Sequence, residues 1–397
     1  MKKLYIIAGE VSGDLIGAKL IKSLKSMNPD IKFYGVGGNL MENEGVKSLF
    51  SISRIAIMGF IEVLMQAFTL KKLIKATVED IIKVQPDAII TIDSLGFNKR
   101  VVQGVQKHNA VANKIKFIHY VAPSVWAWKP KRAKELAQIY DYLLCLFNFE
   151  LKYFTKEGLE SFAVGHPIVE CGIDKGDANI FYKKYNTSNN STYIALMPGS
   201  RLGEVKRLLP IFHESVSIIT QKTQGTKNIK VIIPTVPHTK NYIENYCKKN
   251  KLNYILTENI ADKYNALKAS NLAIVASGTV TLELSLINLP IIVAYKVNIF
   301  TYYLIKNMVK IKYASIINII LNRMLIKEFL QFDCTAENIS KEAIAIIDNN
   351  KTYNDENKKN IVSIVNELGY NTYSPSLKAA HIINNILYKN EGQHGRI

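Results

Sequence analysis

Cysteine is scarce in this chain of 397 residues: Cys145, Cys171, Cys247 and Cys334 stand far apart and form no CxxC pair. That excludes a disulfide framework and a cysteine zinc site, and it fits a reducing cytosol. The seven histidines are scattered and no Asp-x-Asp occurs, so no local ligand set for a divalent metal is written in the sequence and no cofactor is expected. Long apolar runs are also missing. The most apolar stretch, 55–70, is interrupted by Glu62 and Gln66 and is too short to span a bilayer, which takes about 20 residues. No secretory signal is visible, because Met1-Lys2-Lys3 leads straight into an apolar strand. Arginine is rare, seven of 51 basic residues, so each one on a turn is worth noting. Acid is absent between Glu283 and Glu328.

With 48% apolar and 21% charged residues the composition is globular, and the length implies two domains of about 150 to 200 residues each. The net charge of +18 points to an anionic partner: nucleic acid, a membrane surface or a phosphorylated substrate. No nucleic-acid-binding motif accompanies it, and nucleic acid is not expected as a partner.

Apolar strands alternate with helical stretches. Residues 3–8 lead into Gly9-Glu10-Val11-Ser12-Gly13-Asp14 and a helix; the glycines do not match the dinucleotide GxGxxG. Further strands are expected near 31–36, 88–92, 116–120 and 142–146. After Gly165-His166-Pro167 the polar stretch 170–190 reads as a linker, and the alternation restarts at 193–197, 230–234, 253–256 and 272–276. This order predicts an α/β protein of two doubly wound, Rossmann-like domains, 1–170 and 187–370. Residues 374–388 read as a last amphipathic helix opened by Ser374-Pro375, and 371–397 is expected to pack back on the first domain.

At mid-chain, Tyr193–Met197, Pro198-Gly199 and Leu202–Leu209 make strand, turn and helix. A helix start offers unpaired N–H groups and partial positive charge, so Ser200 and Arg201 are candidates to hold an anion, Arg201 through its planar fork. An ordinary βα turn fits the same residues. Ser277-Gly278-Thr279 opens a second such helix, with Glu283 on its second turn. Two segments combine apolar and basic residues: Met58, Phe60, Leu64, Met65 and Phe68 followed by Lys71, Lys72 and Lys75, and the acid-free stretch with Lys296, Lys306, Lys310, Lys312, Arg323 and Lys327. Each suits contact with lipid phosphates, and each also suits an ordinary core helix or solvated face. Both tryptophans fall in one loop, Ala122–Lys129.

Several motifs together resemble one family. They are Ala8–Asp14, Met58–Leu64, Ile92-Asp93, His119–Trp128, Pro198–Arg201, Ala276–Thr279 and Lys327–Gln331, and they cover nearly the whole chain in order. The chain resembles the lipid-A-disaccharide synthases, inverting glycosyltransferases of the GT-B type, with two Rossmann-like domains facing a central cleft. The resemblance implies transfer of 2,3-diacylglucosamine from UDP-2,3-diacylglucosamine to the 6-hydroxyl of 2,3-diacylglucosamine 1-phosphate, forming a β-1,6-linked disaccharide and UDP. It implies Asp93 as general base. Ser12, Gly199, Ser200, Arg201, Ser277, Gly278, Thr279, Asn318, Glu328 and Gln331 fall on donor-binding segments, and Glu283 matches an acid that accepts from ribose hydroxyls. It further implies a cytoplasmic protein attached peripherally to the inner membrane, and it leaves oligomeric state open. Leu95-Gly96, Ile317 and Lys327 depart from the family pattern. Two other readings fit the residues: another UDP-sugar GT-B enzyme, and a non-catalytic protein that binds anionic lipid.

Overall fold

The computed structural model describes residues 1–55, 67–127, 129–299, 302–303, 312–348, 359–361, 363–370 and 374–388. The strands are β1 (Lys3–Ala8), β2 (Lys32–Val36), β3 (Ala88–Ile92), β4 (Lys116–Tyr120), β5 (Tyr142–Cys145) and β6 (Glu160–Ala163), then β7 (Thr192–Met197), β8 (Ile229–Pro234), β9 (Tyr254–Thr257), β10 (Leu272–Ala276), β11 (Ile291–Tyr295) and β12 (Lys327–Leu330). They form two six-stranded sheets, ordered β2-β1-β3-β4-β5-β6 and β12-β11-β10-β7-β8-β9, with every pairing parallel. The helices used below are α1 (Val11–Met27), α2 (Asn39–Asn43), α3 (Ala67–Val84), α4 (Leu95–Gln106), α5 (Ala178–Lys184), α6 (Leu202–Lys222), α7 (Pro237–Lys249), α8 (Ile260–Ala269), α9 (Val280–Ser285), α10 (Ile316–Leu321), α11 (Ala336–Asp348) and α12 (Pro375–Tyr388).

Parallel strands are covered by helices on both faces, so their sequences run apolar without alternating. β3 and β10 are buried at every position. The period of two then sends neighbours into different cores: Tyr5, Ile7 and Ile89 join the cluster on one face of the first sheet, and Leu4, Ile6 and Ile90 the cluster on the other. The second sheet is built alike, Ile194 and Leu196 packing with α6 and α11, and Tyr193 with Phe181 of α5.

The chain parts into two compact units, Met1–Pro167 with Glu367–Ile397, and Ile168–Asn366. α12 returns to the first unit: Ala379, Ala380, Ile383, Ile386 and Leu387 join the core of β1 and α1, and Asn28 Nδ2 donates to Tyr388 Oη at 2.6 Å. The stretch 170–190, read as a linker, is structured instead. It carries one 3-10 turn, Ile173–Lys175, and α5, whose Phe181 is fully buried against Tyr182, Tyr185 and Tyr193. The polar, Asn-rich composition hid one amphipathic helix whose apolar side is aromatic.

Both strand orders contain a reversal, between β1 and β3 and between β7 and β10. In open α/β sheets ligands gather outside the carboxyl ends of the strands at such points.

Candidate active site

At the β1/β3 reversal the Gly9–Asp14 turn meets the residues that follow β3. Asp93 and Ser94 both adopt left-handed backbone, φ 49° and 40°. Such conformations cost of order 1 kcal/mol or more outside glycine and persist only where neighbours impose them. Here the neighbours are visible. Asp93 N–H continues the ladder by donating to the Tyr120 carbonyl at 2.9 Å, while Asn98 of α4 donates to the carbonyls of Asp93 (2.7 Å) and Ile92 (3.2 Å). Ser94 N–H donates to Asp93 Oδ1 at 2.8 Å, and Ser94 Oγ donates to Glu10 Oε1 at 3.3 Å. Gly9 is needed where it stands, since a Cβ there would lie 2.2 Å from Ser94 Cβ. The result is a half-buried Asp93 carboxylate at the carboxyl edge of the sheet. Ser12 is exposed on the first turn of α1.

Asp14, in the same turn, has a different task. It is buried and accepts from the backbone N–H groups of Gly38 (2.8 Å), Leu40 (3.1 Å) and Met41 (3.0 Å), which ties α1 to the start of α2. In the His119–Trp128 segment, His119 is also structural. Its Nδ1 lies 2.7 Å from Thr91 Oγ1, its ring packs on Tyr140 at 4.9 Å, and burial pushes its pKa down to about 4. Trp126 donates from Nε1 to Glu150 at 3.3 Å, and Glu150 also accepts from the N–H groups of Leu146 and Phe147. Burial raises the Glu150 carboxyl to about 7. Trp128 lies outside the described residues.

At the β7/β10 reversal there is a cavity of about 410 Å³ lined by Gly199, Ser200, Arg201 and Glu204, by Pro234, Thr235 and Val236, by Lys263, and by Ser277, Gly278, Thr279 and Glu283. Gly199 has φ 117°, and a Cβ on it would lie 2.5 Å from Glu204 Oε2, so only glycine allows this turn. Arg201 caps α6 with its side chain 67% exposed, oriented by Glu204 Oε1 at 3.3 Å, an oxygen that also accepts from Tyr295 Oη. His238 of α7 reaches the Ser200 carbonyl. Gly278 faces open space. Glu283 is buried and receives Lys263 Nζ on both oxygens, at 2.8 and 2.7 Å. Among the described residues no group of three His, Cys, Asp or Glu side chains could hold a metal ion.

Asn318, Glu328 and Gln331 do not line this cavity. Glu328 is buried and accepts from Ala314 N–H (2.8 Å), Ser315 N–H (2.8 Å) and Asn318 Nδ2 (2.6 Å). Asn318 Oδ1 accepts from Leu325 and Ile326 N–H. The connection to the cavity runs through the backbone: the Ala314 carbonyl accepts from Ser277 Oγ at 2.9 Å. Gln331, at φ 52°, pairs its side-chain amide with both backbone groups of Val297 and so extends the β11/β12 ladder by one step. The sequence reading missed Lys263, Glu204, Thr235 and Val236; only Glu204 left a signal, three residues after Arg201 at the start of a helix.

Phe68, Lys71, Lys72 and Lys75 are exposed together on one face of α3, opposite the buried Leu73, Thr77, Val78 and Ile81. Met58, Phe60, Leu64 and Met65 lie outside the described residues, as do Lys306 and Lys310. No helix among the described residues is long and apolar enough to cross a membrane.

Solved structures share the fold. A putative UDP-N-acetylglucosamine 2-epimerase from Listeria monocytogenes aligns with TM-score 0.64 at 14% identity, covering 98% of this chain and 97% of that one. The Neisseria meningitidis UDP-GlcNAc 2-epimerase bound to UDP-GlcNAc aligns with TM-score 0.61 at 14% identity, covering 98% and 100%. These likenesses establish the GT-B type of two Rossmann-like domains. Sequence relatives are nearer. Lipid-A-disaccharide synthase of Rickettsia prowazekii (strain Madrid E) is 42% identical over 96% of this chain and 99% of its own, and that of Granulibacter bethesdensis is 37% identical over 87% and 86%. Residues 4–382 match the family described as lipid-A-disaccharide synthetase. With that match running through both reversals, the chain belongs to the lipid-A-disaccharide synthetase family.

Proposed function

We propose that this chain, a glycosyltransferase of lipid A disaccharide synthesis, moves 2,3-diacylglucosamine from its UDP ester to the 6-hydroxyl of 2,3-diacylglucosamine 1-phosphate by an inverting, metal-independent displacement. The observation that carries the reading is the cavity at the β7/β10 reversal, where an exposed arginine on a glycine turn and a buried carboxylate line the same space. An arginine fork and a helix start suit a diphosphate, and a carboxylate suits a ribose diol.

In the proposed step Asp93 accepts the proton of the acceptor 6-hydroxyl as that oxygen attacks the anomeric carbon on the face opposite UDP. The bond from that carbon to the diphosphate oxygen breaks, and Arg201 with the first N–H groups of α6 takes up the charge that develops there. Glu204 keeps the guanidinium in place, and Glu328 fixes Ser277 through the Ala314 peptide. Fixed donors of this kind do the work that an Asp-x-Asp-bound cation does elsewhere. The face of α3 carrying Phe68, Lys71, Lys72 and Lys75 would rest on the anionic cytoplasmic surface of the inner membrane, where both acylated substrates reside.

Synthetic acylated donor and acceptor, followed for UDP and for the anomeric configuration of the disaccharide, test the reading. Asp93→Asn is expected to lower turnover by about 10² to 10⁴-fold with fold and UDP affinity retained; near-normal turnover in a stable variant removes Asp93 from the base role. Turnover lost in chelator and restored by one divalent ion would contradict the metal-independent step.

A further inference from the structure

Lys263 sits where a lysine is electrostatically out of place. It lies in the first turn of α8, which starts after the Asn259 cap, and the partial positive charge of a helix start disfavours a cation there. Its ammonium is held by two short bonds to Glu283 across the cavity, from an element that follows a different strand. Glu283 is 6% exposed, so its charge has little water to rely on. A carboxylate held in place accepts two hydroxyl donors readily.

We infer that Lys263 is a positioning residue that sets the ribose selectivity of this cavity by holding the Glu283 carboxylate aimed into it. The inference rests on the reading of the cavity as a uridine-diphosphate site and goes further by assigning what selects ribose over a deoxy sugar. Two of the three ammonium donors are taken by Glu283, which also interacts with the neighbouring Tyr264 hydroxyl, and the carboxylate lines the cavity where a cis-diol would meet it. Were Lys263 instead to grip the diphosphate, replacing it would weaken all nucleotides equally. The two roles therefore separate experimentally.

The test is titration calorimetry of the full chain with UDP and with 2′,3′-dideoxy-UDP. The unaltered protein is expected to prefer UDP by about tenfold or more, the scale of hydrogen bonds to a charged group. Lys263→Met should erase most of that preference by weakening UDP alone. Lys263→Arg should keep the preference. Lys263→Met and Glu283→Gln should be non-additive in the double variant. Equal losses for both nucleotides, additive losses, or a folded Lys263→Arg without preference would each overturn the assignment. Should Lys263→Met fail to fold by circular dichroism, Lys263→Arg and Glu283→Gln decide: the first must retain the preference and the second must lose it. Unaltered protein that binds UDP but ignores the ribose hydroxyls overturns this inference alone, whereas absence of UDP binding overturns the reading of the cavity with it.

Discussion

The left-handed pair Asp93-Ser94 exists because one side chain is missing next to it: Gly9 leaves the space that the Ser94 side chain fills. Gly9→Ala is therefore expected to displace the Asp93 turn and reduce turnover well below that of the unaltered chain, and Ser94→Gly in the same chain should recover it by removing the clashing atoms. Steady-state rates of the two single variants and the double variant check this coupling. Glu150 gives a pH signature. Its folded carboxyl holds a proton up to about 7, while an unfolded one releases it near 4.5, so between those values the folded state binds more protons and stability falls as pH rises. His119 and His166, pushed by burial to about 4, act the other way, withdrawing stability as pH falls below about 6.5. The comparison of unaltered chain with Glu150→Gln isolates the first effect. The variant should gain relative stability from pH 4.5 to 7, up to about 3 kcal/mol, measured by urea unfolding across that range.

At the scale of elements, Asp14 is the clearest joint. One carboxylate satisfies three N–H groups at the start of α2, a helix too short to stand alone. Asp14→Ala strands those donors and should cost about 2 kcal/mol or more, seen as a lower thermal midpoint. The sequence displayed β1 to β5 and β7 to β10 through apolar runs bounded by turns, and it displayed α6 and α12 through helical spacing. It did not display β6, too short and only partly buried to leave a run, nor β11 and β12, which lie in or beside the acid-free apolar and basic stretch, nor α5, whose apolar side lies within a polar, Asn-rich stretch. The candidate site divides in the same way. Gly199, Ser200, Arg201, Ser277, Gly278, Thr279 and Glu283 sit on strand-turn-helix junctions that a linear pattern can mark, and the fold brings them to one cavity. Lys263 comes from a helix start in a chain rich in lysine, and only its distance to Glu283 distinguishes it. Asn318 and Glu328 belong to motifs that could be read, but their bonding to Ala314, Ser315, Leu325 and Ile326 depends on long-range closure that no spacing reveals.

For the whole molecule the charge of +18 becomes specific on α3, where three lysines and Phe68 share an exposed face. Replacing Lys71, Lys72 and Lys75 together is expected to weaken sedimentation with anionic vesicles by about 1 kcal/mol per lysine at most, to leave the thermal midpoint unchanged, and to abolish most of the salt dependence, since such attraction is screened within about 8 Å at physiological ionic strength. Equal binding to neutral and anionic vesicles would discard the electrostatic contribution. The return of α12 to α1 has a separate consequence, one of timing. A ribosome delivers the chain from its amino end at about 5 to 20 residues per second, so β1 to β6 emerge early but wait for residues 375–388 to cover Leu20, Ile21 and Leu24. Residues 168–366 are complete sooner. The nascent first half must hold an apolar strip open until residues 375–388 have emerged, which makes it a part of the newborn polypeptide that chaperones would engage for longer than the second unit.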